Sequence, residues 1–173
     1  MNVSGFLVKG LQISVLTPAD WAAVSSIYRD GIATGQATFE TASPSWADWD
    51  KGHLSIARLV AALEGNVIAW GALAPVSSRA VYAGVAETSV YVAGEWRGRG
   101  IGKVLLEALI ADSERHNIWT LQASIFPENE ASLKIHQLCG FRVVGTRERI
   151  AKLDNVWRDT VLLERRSGLV CGD

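Results

Sequence analysis

Six residues near the middle of the chain constrain its fold more than any others. "RGRGIG" (Arg97 to Gly102) carries glycine at every second position, and a run so poor in Cβ atoms loses too much backbone entropy to continue a strand or a helix interior. Before it, "AETSVYVA" (86–93) reads as a strand. After it, Ile101, Val104, Leu105, Ala108 and Leu109 recur at helical spacing and predict a buried stripe. The centre of the molecule is therefore a strand that turns sharply into a helix whose first backbone N–H groups are bare.

The flanking segments build an α/β (α+β) arrangement around this unit. "LQISVL" (11–16) alternates as a strand, and Thr17-Pro18 reads as a helix cap followed by proline at the first position, giving a helix from Pro18 to about Ile32. "GQATFETASPS" is loop chemistry, and "SWADWDKGHLSIARL" is a second helical candidate. "ARLVAAL" and "VIAWGALAPV" flank Glu64-Gly65-Asn66 as a hairpin. "WTLQASIF" is a strand, and a helix starting at Asn129 closes at Gly140, a residue suited to the left-handed position past a helix end. "FRVVGTRERIAKL", Asp154-Asn155 and "VWRDTVLLER" form two antiparallel strands. There is no repeat, linker or low-complexity tract, so a single domain (1–173, core about 11–167) with a mixed, mostly antiparallel twisted sheet flanked by helices is expected.

Composition narrows the class. At 173 residues, 49% hydrophobic and 20% charged with a formal net charge of -1, the chain suits one soluble globular domain and has no bulk attraction to nucleic acid. No uncharged apolar stretch is long enough to span a bilayer, and the first residues lack a secretory pattern, so a cytoplasmic protein is expected. Cys139 and Cys171 form no CxxC pair and have no clustered histidines, so neither zinc nor a disulfide framework is suggested. The seven tryptophans read as core or interface anchors.

The glycine turn reads as an anion site. Bare helix N-terminal amides, the helix dipole and the charges of Arg97, Arg99 and Lys103 suit a phosphate or pyrophosphate. A Walker A loop needs wider glycine spacing and Ser or Thr after the lysine, where Val104 stands. A Rossmann fingerprint needs a βαβ unit near the start with a later acidic residue, which is absent. The competing reading is a turn shaped by glycine for geometry alone.

At this point the residues resemble the acyl-coenzyme A motif of the GNAT acetyltransferase superfamily, (Q/R)xxGx(G/A), with Arg97, Gly100 and Gly102 in register. "NEASLKIHQLCGF" (129–141) is similar to the family segment in which Asn opens a helix that ends in Gly-Phe. "IYRDGIATGQATFET", "AETSVYV", "WTLQASIFPENEAS", "CGFRVVGTRERI" and "WRDTVLLERRS" extend the resemblance to the phosphinothricin and methionine sulfoximine N-acetyltransferase branch over most of 27–167.

That resemblance implies acetyl-CoA as cosubstrate, no metal, and central strands that splay to admit the pantetheine arm. Val90, Tyr91 and Val92 would meet the arm and thioester, Arg97, Gly98, Arg99, Gly100, Ile101, Gly102 and Lys103 the pyrophosphate, and Asn129 and Ser132 the arm's other side. Asn129 is equally a natural helix cap. Glu87 would be the general base for a mostly protonated amine. His136 stands where many relatives carry a proton-donating tyrosine, and it reads as an acid, a partner of Glu87 or a packed ring; Tyr82 and Tyr91 are alternative donors.

The acceptor would be a small amino acid-like amine, its carboxylate met by Arg79, with Thr38, Phe39, Thr88 and Ser89 bordering it. A homodimer is implied, with Trp157 and Arg158 near its interface. Other acceptors, namely a protein N-terminus, a polyamine or an antibiotic amine, keep the chemistry, and a non-catalytic CoA-binding module is the reading from another class.

Overall fold

A computed structural model describes residues 8–170. Cys171 lies outside the described residues. Seven strands of the described residues form one sheet: β1 (Gln12–Val15), β2 (Leu59–Leu63), β3 (Asn66–Pro75), β4 (Val85–Val92), β5 (Thr120–Ile125), β6 (Arg142–Leu153) and β7 (Val156–Arg166). Their order is β1-β2-β3-β4-β5-β7-β6. Every neighbouring pair is antiparallel except β4 and β5, because the connection between those two runs through a crossover helix.

Among the described residues four α-helices cover the two faces: α1 (Trp21–Ala33), α2 (Trp46–Gly52), α3 (Ile101–Arg115) and α4 (Glu130–Leu138). Asp20 closes a capping box with Thr17, accepting from its backbone N–H and its hydroxyl, both at 2.8 Å, and a single 3-10 turn leads into α1. The second helical candidate forms only as the seven residues of α2, capped by Ser45.

On one face α3 and α4 bury Leu105, Leu109, Leu121, Phe141 and Leu163. On the other, α1 and α2 close over Tyr28, Trp49 and Trp70. The tryptophans concentrate there: Trp21, Trp46, Trp49 and Trp70 are linked by ring contacts of 5.5–5.8 Å.

The buried stripe of α3 sits about one residue round from the expected one. Leu106 and Ile110 are buried, whereas Val104 and Ala108 are only half-buried. The helix centres on the sheet along Ile101, Leu105 and Leu109, and its Leu106 side turns further inward than its Val104 side. Both tight turns follow their chemistry. Glu64 and Gly65 take φ of 49° and 80°, Asp154 and Asn155 of 47° and 64°, the left-handed pairs that join twisted antiparallel strands.

Candidate active site

The one parallel contact in the sheet is short. β4 pairs with β5 only from Val85 to Glu87, opposite Thr120 to Gln122, although β4 continues to Val92 and β5 to Ile125. Beyond Glu87 the strands part and leave a gap in the middle of the sheet. Ala93 N–H bonds the Ile68 carbonyl on the β3 side, and the Val92 carbonyl accepts from Arg97 Nε at 3.1 Å on the other. With the period of two, Val90 and Val92 turn their backbone groups to the gap.

The glycine turn lies at the mouth of this gap. Gly98 and Gly100 adopt φ of 73° and 80°, a region that a side chain enters at a cost, and a Cβ built on either meets nothing within 4 Å. Conformation and open space, not crowding, select glycine at these two positions. Gly102 faces inward, where an added Cβ would stand 3.4 Å from both Val92 and Ile135.

Among the described residues, Val104 is the first after Arg97 whose N–H makes a turn bond, to the Gly100 carbonyl at 3.2 Å, so the amides of 98–103 stand free. Three cations surround them. Arg99 lies 4.7 Å over the Trp96 ring, Arg97 is tied to Val92, and Lys103 pairs with Glu107, which raises its pKa. Bare amides, open space and fixed positive charge fit a diphosphate.

Glu87 sits on β4 where the gap opens. Its Oε2 accepts from Gln122 Nε2 at 2.8 Å and from Ser124 Oγ at 3.4 Å, both on β5. Among the described residues no group donates to its Oε1, which leaves one oxygen free to receive a proton. Ser89 and Tyr91 share its face by alternation. Tyr91 stacks on Trp70 at 4.7 Å and meets Tyr28 at 4.9 Å, and burial drives its pKa far up, so its ring serves the α1 side of the sheet.

Thr88 points to the opposite face. Its hydroxyl stands 3.2 Å from His136 Nε2 and 3.3 Å from the Gln122 carbonyl. His136 is 3% exposed, packs edge-on against Phe141, and places Nδ1 2.8 Å from the Ser132 carbonyl. That carbonyl can only accept, so Nδ1 carries the proton and Nε2 is an acceptor, and the single Thr88 hydroxyl proton is shared between Nε2 and the Gln122 carbonyl. Burial lowers the His136 pKa. The structure therefore separates Glu87 from His136 by the thickness of the sheet, and the two do not meet.

Asn129 caps α4, its Oδ1 accepting from Ser132 N–H at 3.2 Å, while Nδ2 donates to the Gln36 carbonyl at 3.2 Å. It thus ties the loop after α1 to the start of α4. Arg158 reinforces that tie with bonds to the Gly35 carbonyl (3.1 Å) and to Glu128 (3.2 Å), and lies 4.3 Å over Phe126. Phe39 meets Phe126 edge-on at 4.8 Å, and Thr38 faces the phenols of Tyr28 and Tyr91. Thr38, Phe39 and Arg158 therefore border the Glu87 side of the gap. Arg79 stands apart, exposed on the β3–β4 loop and stacked 5.5 Å from Tyr82. Trp157 is 53% exposed on β7.

The model of the acetyltransferase (GNAT) family matches residues 21–141, which span α1, the glycine turn and the Gly-Phe that ends α4. The chain is a GNAT acetyltransferase. Phosphinothricin N-acetyltransferase of Alcaligenes faecalis is 31% identical over 162 residues, covering 88% of this chain and 81% of that one. The L-methionine sulfoximine/L-methionine sulfone acetyltransferase of Pseudomonas aeruginosa is 31% identical over 83 residues, 48% of each chain.

Among solved structures, the GNAT superfamily phosphinothricin acetyltransferase of Sinorhizobium meliloti in complex with AcCoA superposes with a TM-score of 0.83 at 27% identity, covering 94% of this chain and 91% of that one. Acetyl-CoA is the acyl donor of this GNAT enzyme, and the free amides and the gap are of the kind its diphosphate and pantetheine arm need. No group of three metal-ligating side chains occurs among the described residues.

Sequence reasoning missed the polar row beside Glu87. Gln122 and Ser124 alternate with the buried Leu121, Ala123 and Ile125 on β5, a period-two signal that was there to be read. Arg147 also belongs to the row, donating from Nη2 to Ser124 Oγ at 2.5 Å and from Nε to Thr160 Oγ1 at 3.2 Å. Nothing in "GTRERI" distinguishes it from Arg149, because bulges break the alternation of β6 on both sides of it.

Proposed function

We propose that this GNAT enzyme transfers the acetyl group of acetyl-CoA to the free α-amino group of a small amino acid analogue of the phosphinothricin or methionine sulfoximine kind. The supporting observation is the free oxygen of Glu87 at the point where β4 and β5 separate, on the face bordered by Thr38 and Phe39 and away from the buried His136. The names carried by the relatives support the acceptor class.

In this reading Gly98 to Lys103 hold the diphosphate and Val90 and Val92 hold the arm, so the thioester reaches the gap beside Glu87. Glu87, directly or through a water, takes a proton from the ammonium form, and the neutral nitrogen attacks the thioester carbonyl. The carbon–sulfur bond then breaks, the sulfur leaves as thiolate, and the second proton, which the nitrogen sheds as it becomes the amide, passes to the sulfur and restores the thiol. On the far face His136, kept neutral by burial with its proton on Nδ1, holds the Thr88 hydroxyl in place.

Transfer is direct. Cys139 is half-buried at the end of α4, and burial raises its pKa, the opposite of what a thiolate nucleophile needs. Arg79 supplies a cation on the loop at the start of β4, suited to an acid group of the acceptor. The chain acts as one cytoplasmic unit and pairs as a homodimer through the β6–β7 hairpin, where Val143, Val144, Ile150, Val156 and Trp157 are exposed.

Steady-state CoA release with phosphinothricin, methionine sulfoximine, unmodified amino acids, a polyamine and an N-terminal peptide amine tests the proposal. The expected result is the highest kcat/KM for an amino acid analogue with a free carboxylate. A peptide or polyamine acetylated faster than every amino acid would overturn it.

A further inference from the structure

Arg147 presents a problem that the acetyl transfer described above does not use. It is half-buried, makes no ion pair among the described residues, and is fixed between the hydroxyls of Ser124 and Thr160. Thr160 is itself buried. To reach Ser124 the side chain starts on β6 and crosses β7, ending one hydroxyl away from the Glu87 carboxylate. Other arginines of comparable burial are neutralised: Arg58 pairs with Asp50, Arg158 with Glu128 and Arg165 with Glu114.

A guanidinium drawn partly out of water and given only neutral acceptors carries an unpaid desolvation cost, and it retains donors for an anion. The bulge between Arg147 and Ala151, with Arg149 at φ 48° and its N–H bonded to Asp159 at 2.7 Å, is the local feature that re-aims this part of β6.

We propose that Arg147 is the acceptor-binding residue that takes the α-carboxylate of the amino acid, and so selects α-amino acids among amines. The proposal rests on the amino acid reading above. The amine and the carboxylate of an α-amino acid hang on one carbon. A nitrogen placed at the free oxygen of Glu87 therefore carries a carboxylate within reach of a cation one hydroxyl away, where the planar guanidinium can bind it with two parallel bonds. Arg79, outside on its loop, is left for an acid group further along the acceptor. The work is divided between the two arginines: Arg147 recognises what all α-amino acids share, and Arg79 what distinguishes an acidic analogue.

The test compares wild type, Arg147→Gln, Arg147→Lys and Arg79→Ala with three acceptors: phosphinothricin, methionine sulfoximine, and methionine sulfoximine with its carboxylate converted to the amide. In Arg147→Gln the KM of both free acids should rise at least about tenfold, the loss expected for a charge-assisted pair. The KM of the amide and the affinity for acetyl-CoA should stay within about twofold, which also shows that the variant folds. Arg147→Lys should recover part of the loss, having the charge without the fork. Arg79→Ala should affect phosphinothricin more than methionine sulfoximine.

An equal loss on the acid and the amide would show that Arg147 acts only by placing Ser124 and Glu87, and would overturn the proposal. So would a free-acid KM unchanged in both Arg147 variants. A wild-type enzyme that acetylates none of the three would instead refute the amino acid reading itself.

Discussion

At the scale of residues, the proposal gives Glu87 and Gly100 separable functions. Glu87 is oriented by Gln122 and Ser124 through one oxygen, and in the proposed mechanism it takes the proton through the other. Glu87→Gln keeps the shape and removes the base, so kcat should fall by about 10²–10⁴ while calorimetric titration finds acetyl-CoA binding unchanged. Gly100→Val should do the reverse of that pattern. A side chain at φ 80° costs about 1–2 kcal/mol, and its methyls would enter the open space above the bare amides. Acetyl-CoA affinity should drop at least about tenfold with the loss of charge-assisted bonds, and thermal unfolding should show the smaller stability loss. Gly100 was legible in the sequence because its requirement is local: one backbone angle and one helix start. Arg147 was not, since its meaning comes from four strands brought side by side.

At the scale of elements, the contact between α4 and β4 makes stability depend on pH. His136 is buried neutral, its pKa lowered from 6.5 chiefly by desolvation, with the Ser132 carbonyl acting in the opposite direction. His53, stacked on Trp49 at 4.2 Å, is lowered for the same first reason. Above pH 6.5 neither native nor unfolded chain protonates these rings, and their contribution is fully present. As pH falls below 6.5 the unfolded chain binds protons that the folded one refuses, and stability is lost at up to about 1.4 kcal/mol per pH unit for each group. Denaturant unfolding of wild type between pH 7 and 5.5 should show this decline, and His136→Asn should flatten it, leaving the His53 share; equal slopes would contradict the assignment.

Elements were also where sequence reading was strongest. The Asp154-Asn155 turn, the caps at Thr17 and Asn129 and the strand-to-helix entry each follow from one or two residues. The rotation of the α3 stripe and the bulges of β6 did not follow, because the sheet beneath the helix and the β7 partner decide them.

For the whole molecule, the sheet exposes β6 as an edge twelve residues long, and a long edge with apolar neighbours is either protected or paired. Val144 at 45% and Val156 at 61% exposure lie on the β6–β7 hairpin with Trp157. Sedimentation should find a dimer in solution, and Val144→Lys with Val156→Lys together should shift it to monomer without loss of helix content. The splaying of the two central strands was readable only through family resemblance, since parallel pairing of β4 with β5 is a contact between distant segments; the order of strands and the face on which Glu87 lies came from the structure.

The claim on which the rest depends is that acetyl-CoA enters between β4 and β5 with its diphosphate on the amides of 98–103. A crystal structure of the enzyme with CoA and an unreactive acceptor analogue tests it most directly. The account predicts phosphate oxygens at hydrogen-bonding distance from those amides, the arm alongside Val90 and Val92, and the acceptor nitrogen facing Glu87. Phosphates bound elsewhere, or an acceptor on the His136 face, would contradict it.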